Sequence, residues 1–343
     1  MSRPRTLTAL ACLLVAVLAA CTPGAAAPGG TGTTGDGTPA AAAGPRTLAE
    51  DPDPVQPLPA PTSQQLPATV TSFDGVEVTV TDTSRILPVD LYGTFGEIVF
   101  SLGLGDRVVG RDVATGFEEA AHLPVVSGSS HALNVESILA LNPTVVLTDT
   151  SIGPAEVFDQ LRAAGVPVVF LDPDRSLATI DDHVRQVAAA LGVPEQGEAL
   201  VERTEADLAA VRASAPTGDP LTVAFLYLRG TAGVYMLGGP GSGADALVEA
   251  VGARDAGTEL GLTSSFTPVT SEGMINAAPD VLLVMSAGLA SVGGVEGLLA
   301  MPGIGQTPAA ATRRVVDAPD TRLLSFGPST ARTVAALAEA LYG

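Results

Sequence analysis

Gly128-Ser129-Ser130-His131-Ala132-Leu133-Asn134-Val135-Glu136-Ser137-Ile138-Leu139-Ala140-Leu141-Asn142-Pro143 joins a polar loop with a histidine to a short helical pattern, and the apolar run Val145-Val146-Leu147 follows. A later stretch, Glu272-Gly273-Met274-Ile275-Asn276-Ala277-Ala278-Pro279, aligns with Glu136 to Pro143: each glutamate stands seven residues before a proline, and Val281-Leu282-Leu283 follows the second copy. In both, a capping candidate (Asn134, Ser271) precedes the helix, apolar residues cover one face, and the proline forbids continuation. A helix followed by a buried strand, occurring twice, predicts two similar α/β lobes.

Length and composition agree. A chain of 343 residues, 46% of them hydrophobic, can build two substantial cores. The formal charge of −20, with 17 basic residues that are all arginine, excludes a basic nucleic-acid footprint. At 4% aromatic residues and no tryptophan, stacked-aromatic floors for sugars or quaternary amines are disfavoured, whereas aliphatics can still hold a large rigid apolar ligand.

Residues 1–21 read as a lipoprotein signal peptide. Arg3 and Arg5 precede an apolar run too short to span a membrane convincingly, and Leu18-Ala19-Ala20-Cys21 matches a bacterial lipobox, in which Cys21 is lipidated. The only other cysteine, Cys12, lies inside the apolar run, so the mature chain has no internal disulfide. Residues 22–67, rich in Gly, Ala, Thr and Pro, read as a disordered tether. An N-terminal α/β lobe is expected over 68–175, opening with a hairpin at 68–70 and 76–80 and including strands at 86–89, 108–109 and 166–171.

A helical connector over 176–213 carries the apolar stripes Val184, Val187, Ala188, Leu191 and Leu200, Val201, Leu208, Val211. It is broken at Gly192-Val193-Pro194, as one interrupted helix or two in series, and forms a spine between the lobes. His183, beside Asp181, Asp182 and Arg185, reads as a solvated surface residue. The C-terminal α/β lobe, 214–343, contains a strand at 221–228, a short one at 233–237, the glycine-rich loop 238–243, a last strand at 323–326 and a closing helix at 331–341. The loop lacks the Lys-Ser/Thr of a P-loop.

With these parts assembled, the lipobox, the tether, the two lobes on a helical spine and the paired glutamate units resemble substrate-binding lipoproteins of the iron-siderophore, haem and cobalamin class of ABC importers, over about residues 84–343. Within that class the chain looks most like haem-binding members of Gram-positive bacteria, on Gly128-Ser129-Ser130-His131, Tyr227-Leu228-Arg229-Gly230, Val234-Tyr235-Met236, the following Gly-Pro-Gly-Ser-Gly-Ala-Asp245, Pro302-Gly303-Ile304 and Phe326-Gly327-Pro328.

The resemblance implies a periplasmic-binding-protein-like fold of the helical-backbone type. It implies a monomer that captures haem between its lobes and delivers it to an ABC permease dimer from the outer face of the cytoplasmic membrane, with no catalysis and no other metal. It also implies a histidine from one lobe and a tyrosine from the other as iron ligands, here His131 and Tyr235; imidazole and phenolate both suit ferric haem. His122, in a loop, is placed for packing or exposure. Arg229, Ser129, Ser130, Ser242 and Arg111 are the candidates for propionate contacts, and Met285, like Met236, is a soft side chain at a strand end. Relatives would carry Phe-Gly-Pro-Arg, where this chain has Ser329 with Arg332 three residues on, which puts the carboxylate grip in question.

Glu136 and Glu272, each in a first helical turn where the dipole favours a carboxylate, are the expected permease contacts. A ferric siderophore or a corrinoid is the alternative ligand in the same fold. A secreted metal-dependent or hydrolytic enzyme is the alternative class, and neither His-Glu-x-x-His nor Gly-x-Ser-x-Gly is present.

Overall fold

The computed structural model describes residues 43–49, 55–128, 131–215 and 218–343. The expected signal peptide with Cys21, the expected tether up to residue 42, and Ser129 and Ser130 lie outside the described residues.

The described chain opens with β1 (Arg46–Thr47), which pairs in parallel with the strand at 315–318, Arg46 beside Val316. This pairing corrects the expectation of a tether running to residue 67. Leu48 and Val55 are 4% and 1% exposed, and farther along Leu58 N donates to Ser101 O (2.8 Å) and Gln65 N to Gly192 O (2.7 Å). Of the few large aliphatics in this stretch Leu48 and Val55 are buried and Leu58 and Leu66 half-buried, and the small residues between them dilute the signal.

The hairpin forms as expected, with β2 (Ala68–Thr71) antiparallel to β3 (Glu77–Val80). In the first lobe β4 (Ile86–Pro88), β5 (Val145–Thr148) and β6 (Val168–Phe170) form a parallel sheet in that order, with every residue of β5 buried. A parallel sheet covered on both faces needs apolar side chains on both, which alternation along each strand supplies. Ile86, Val145 and Leu147 join a cluster with Phe95 and Ile98 of α1 (Thr94–Val99). Leu87, Val146 and Val168 join another with Ile138 of α2 (Val135–Ala140) and Phe158 and Leu161 of α3 (Ala155–Ala163). The strand expected at 108–109 is a single bridge, Ile86 to Val108.

The spine is two helices, α4 (Ile180–Ala190) and α5 (Pro194–Ala213), packed on one another. Val184, Val187, Leu200 and Val201 belong to the first-lobe core, whereas Ile180 and Leu208 belong to a second-lobe core, so the pair is rooted in one lobe and its open ends rest on the other. His183 is fully buried, contrary to the expectation of a solvated residue. It lies three residues after Ile180 and four before Val187, on the buried stripe rather than with its charged neighbours. Its Nε2 is 2.9 Å from Asp172 O, Phe95 meets it edge-on, and burial, with Arg175 nearby, holds its pKa below the usual value.

The second lobe is a mixed sheet of β7 (Thr222–Arg229), β8 (Val234–Gly238), β9 (Arg254–Asp255), β10 (Phe266–Pro268), β11 (Val281–Met285) and β12 (Val315–Ala318), joined by β1. Its order is β1-β12-β11-β7-β8-β10, with β9 also on β7 and with β8 and β10 antiparallel. Val223 and Phe225 face Val334, Leu337 and Leu341 of the helix Thr330–Tyr342; Ala224, Leu226 and Leu228 face Met274 and Leu298. The strand expected at 323–326 is instead the end of a helix, Asp320–Leu324, and the β-branched pair Val315-Val316 supplies the last strand.

The repeat extends to the backbone. Asn134 Oδ1 accepts from Ser137 N (2.8 Å); in the helix Ser271–Ala277 the cap is Thr270 rather than Ser271, accepting from Gly273 N (3.0 Å). Ile138 and Met274 are 0% and 1% exposed, and the residues before each proline, Asn142 and Ala278, share a left-handed backbone (φ 47° and 42°).

Candidate functional site

In the first lobe the carboxyl ends of all three parallel strands contribute one charged residue each. Asp90, after β4, folds over the start of α1 and accepts from Tyr92 N (2.8 Å), Thr94 N (3.2 Å) and Phe95 N (2.9 Å). Arg175, beyond β6, reaches between Asp90 (3.2 Å) and Asp149 (2.6 Å), which follows β5, and its Nε donates to Thr94 Oγ1 (3.0 Å). Its guanidinium carbon lies 4.9 Å from the Tyr92 ring and 5.0 Å from that of Phe95. Behind them Asp112 accepts from Asp90 N (2.9 Å) and Thr115 N (2.7 Å), and burial, reinforced by the Asp90 charge, raises its pKa to about 7. This edge of a parallel sheet is where α/β folds bind ligands.

His131 stands on the same edge. The loop 149–153 leaves β5 there, Ser151 Oγ accepts from Leu91 N (3.1 Å), and Leu133 N donates to Gly153 O (2.8 Å), which ties the histidine loop to the Asp90–Asp149 cluster. At φ 62° His131 adopts a left-handed backbone, costing about 1–2 kcal/mol in a residue with a Cβ. Its N–H donates to Gly128 O (2.9 Å), the residue is half-buried, and Nδ1 is buried without a hydrogen-bond partner among the described residues.

The facing wall is the end of β7. Tyr227 and Arg229, two residues apart, share a strand face; the guanidinium carbon lies 4.7 Å from the Tyr227 ring, and Arg229 also donates to Leu228 O (3.0 Å) and pairs with Asp320 (3.4 Å). Phe266 meets Tyr227 edge-on, and Met236 lies directly across the ladder from it. Tyr227 is near enough to Tyr92 to influence it electrostatically. Burial first, then the charges of Asp149, Asp90 and Tyr227, raise the Tyr92 pKa against the opposing effect of Arg175.

Tyr235 is not on this wall. It lies across the ladder from Leu228, on the opposite face, and packs with Leu237 and Leu289. The expectation of Tyr235 as iron ligand is not what this register favours, because it turns Tyr235 away from the wall that carries Tyr227 and Arg229. Met285 is fully buried in the core, and Ser242 is held in its own loop, near Asp245. Arg111 donates to Asp112 O and Thr115 O (both 3.1 Å), clamping the first-lobe backbone.

The lobes also touch directly. Thr94 Oγ1 donates to Ser325 O, and Ser329 N donates to Glu97 Oε1 (2.5 Å). Gly327 permits this approach: a Cβ there would lie 2.5 Å from Glu97 Oε2. Beside this contact lies a cavity of about 540 Å³ lined from both lobes, by Tyr92, Phe117, Ser325 and Ser329 among others; it includes neither His131 nor Tyr227.

A family model described as periplasmic binding protein matches residues 89–321. The crystal structure of heme binding protein HmuT is 42% identical, covering 88% of this chain and 98% of its own, with a TM-score of 0.80. Alanine variants of HmuT have also been solved, at a histidine, at a tyrosine and at the arginine two positions beyond that tyrosine. The uncharacterized ABC transporter substrate-binding lipoprotein YvrC of Bacillus subtilis (strain 168) is 23% identical over 284 residues, 82% of this chain and 87% of its own. The vitamin B12-binding protein of Yersinia pestis (strain Pestoides F) is 33% identical over 95 residues, 28% of this chain and 31% of its own.

Proposed function

The chain belongs to the periplasmic binding protein family, and we propose that it captures haem at the interlobe face, with His131 and Tyr227 as the iron ligands, for delivery to an ABC importer. The observation that carries this reading is the Tyr227–Arg229 pair. A phenolate bound to ferric iron is an anion in a partly buried place, and Arg229 puts a guanidinium 4.7 Å from the ring. Tyr227 is also the only tyrosine of this chain with an arginine two positions later, the spacing found in the HmuT variants. The corrinoid reading rests on similarity to less than a third of the B12-binding protein.

In this role the protein binds its cargo without converting it. Glu136 and Glu272, both exposed and without an ion-pair partner among the described residues, are the docking contacts for the permease. A lipid on Cys21 holds the protein, as a monomer, at the outer face of the cytoplasmic membrane. Hemin titration of the purified protein tests the ligand. A Soret band that saturates at one equivalent per pair of ligands and is altered in His131→Ala supports the reading, and no binding at micromolar hemin refutes it.

A further inference from the structure

We infer that Leu139 and Ile275 are paired apolar anchors for a two-fold symmetric membrane partner that presents, in each of two copies, a basic side chain beside an apolar hollow. This rests on the docking role of Glu136 and Glu272 and specifies what surrounds each carboxylate.

Six large hydrophobic side chains are exposed among the described residues, and Ile275, at 49%, is the only one in the second lobe. Its equivalent in the first lobe is Leu139, at 36%. Both lie three residues after the glutamate of their copy, so on a helix each aliphatic side chain neighbours its carboxylate, with Cβ atoms about 5–6 Å apart. The buried member of each unit, Ile138 or Met274, already supplies the packing that holds the helix to its lobe. Neither Leu139 nor Ile275 is therefore needed for the core. A large aliphatic left in water at equivalent sites of both lobes, each beside an acid, is surface complementary to a partner that repeats the opposite pattern. The other four exposed residues, Phe73, Val76, Val113 and Val125, all lie in the first lobe and have no such counterpart.

A partner with only one cationic site would use one lobe and leave the second patch without a purpose. A dimer uses both at once and gains the effective concentration of a two-point attachment.

The test is hemin uptake by cells whose own copy is replaced by the full-length chain carrying Leu139→Ser with Ile275→Ser. Uptake is expected to fall by about tenfold or more, as befits two lost apolar contacts. Hemin affinity and thermal unfolding of the purified variant should match the parent, and Leu139→Met with Ile275→Met should restore uptake. If the serine variant transports within twofold of the parent while Glu136→Ala with Glu272→Ala abolishes uptake, the apolar anchors are refuted and docking stands. If the glutamate variant also transports normally, the docking reading itself fails. Loss of hemin affinity or of stability in the serine variant would make these residues structural and overturn the inference.

Discussion

Arg229 lays its guanidinium carbon 4.7 Å from the centre of the Tyr227 ring, two residues back along the same strand face. Asp320 pairs with that guanidinium at 3.4 Å, so the cation is positioned before any ligand arrives. Arg229→Ala is expected to weaken hemin binding by about tenfold, the scale of one lost charge-assisted contact. Arg229→Lys should recover only part, because an ammonium cannot stack on the ring while pairing with Asp320. Absorbance titration at fixed pH checks both.

The Arg175 guanidinium is shared by two buried carboxylates, Asp90 and Asp149. Arg175→Met leaves both without that partner and is expected to cost about 3–5 kcal/mol of stability. Urea unfolding monitored by circular dichroism would register the loss as a lower midpoint.

Asp112 gives a pH dependence of definite sign. Its folded pKa of about 7 lies above the ordinary 3.8, so the folded state keeps a proton that the unfolded chain releases. This group's contribution to stability is therefore greatest in acid, declines as pH rises from about 4 to about 7, and levels off above that. His183, held neutral by burial, acts in the opposite direction as pH falls below its usual value of 6.5. The measurement is thus the difference between parent and Asp112→Asn unfolding curves across pH 4–8, and that difference should slope with pH below neutrality and flatten above it.

Gly327→Ala would place a Cβ 2.5 Å from Glu97 Oε2, at the point where Ser329 N bonds to that side chain. Relief of the overlap moves the Glu97 carboxylate off its bond with Ser329 N, at an expected cost of about 1 kcal/mol, the worth of that hydrogen bond. A lower thermal midpoint together with faster proteolysis would register it.

Much of this fold is legible in the repeat alone, because Glu136 to Pro143 and Glu272 to Pro279 carry cap, buried face and break at the same offsets. What escaped reading depends on tertiary register. Tyr227 and Tyr235 are both strand tyrosines near glycines, and only the pairing of Leu228 with Tyr235 reveals that they point to opposite faces. His183 sits among charged residues in sequence, yet helical period assigns it to the buried stripe between Ile180 and Val187. The segment around Leu48 and Val55 looks compositionally unfoldable because two buried aliphatics cannot move the average of a stretch rich in small residues.

The most direct test of the haem reading compares hemin spectra of Tyr227→Ala and Tyr235→Ala side by side. With Tyr227 on the iron, its alanine variant loses the phenolate-to-iron charge-transfer absorption and shifts the Soret band, while Tyr235→Ala keeps the parent spectrum. A spectrum unchanged in Tyr227→Ala, or altered only in Tyr235→Ala, would contradict the assignment.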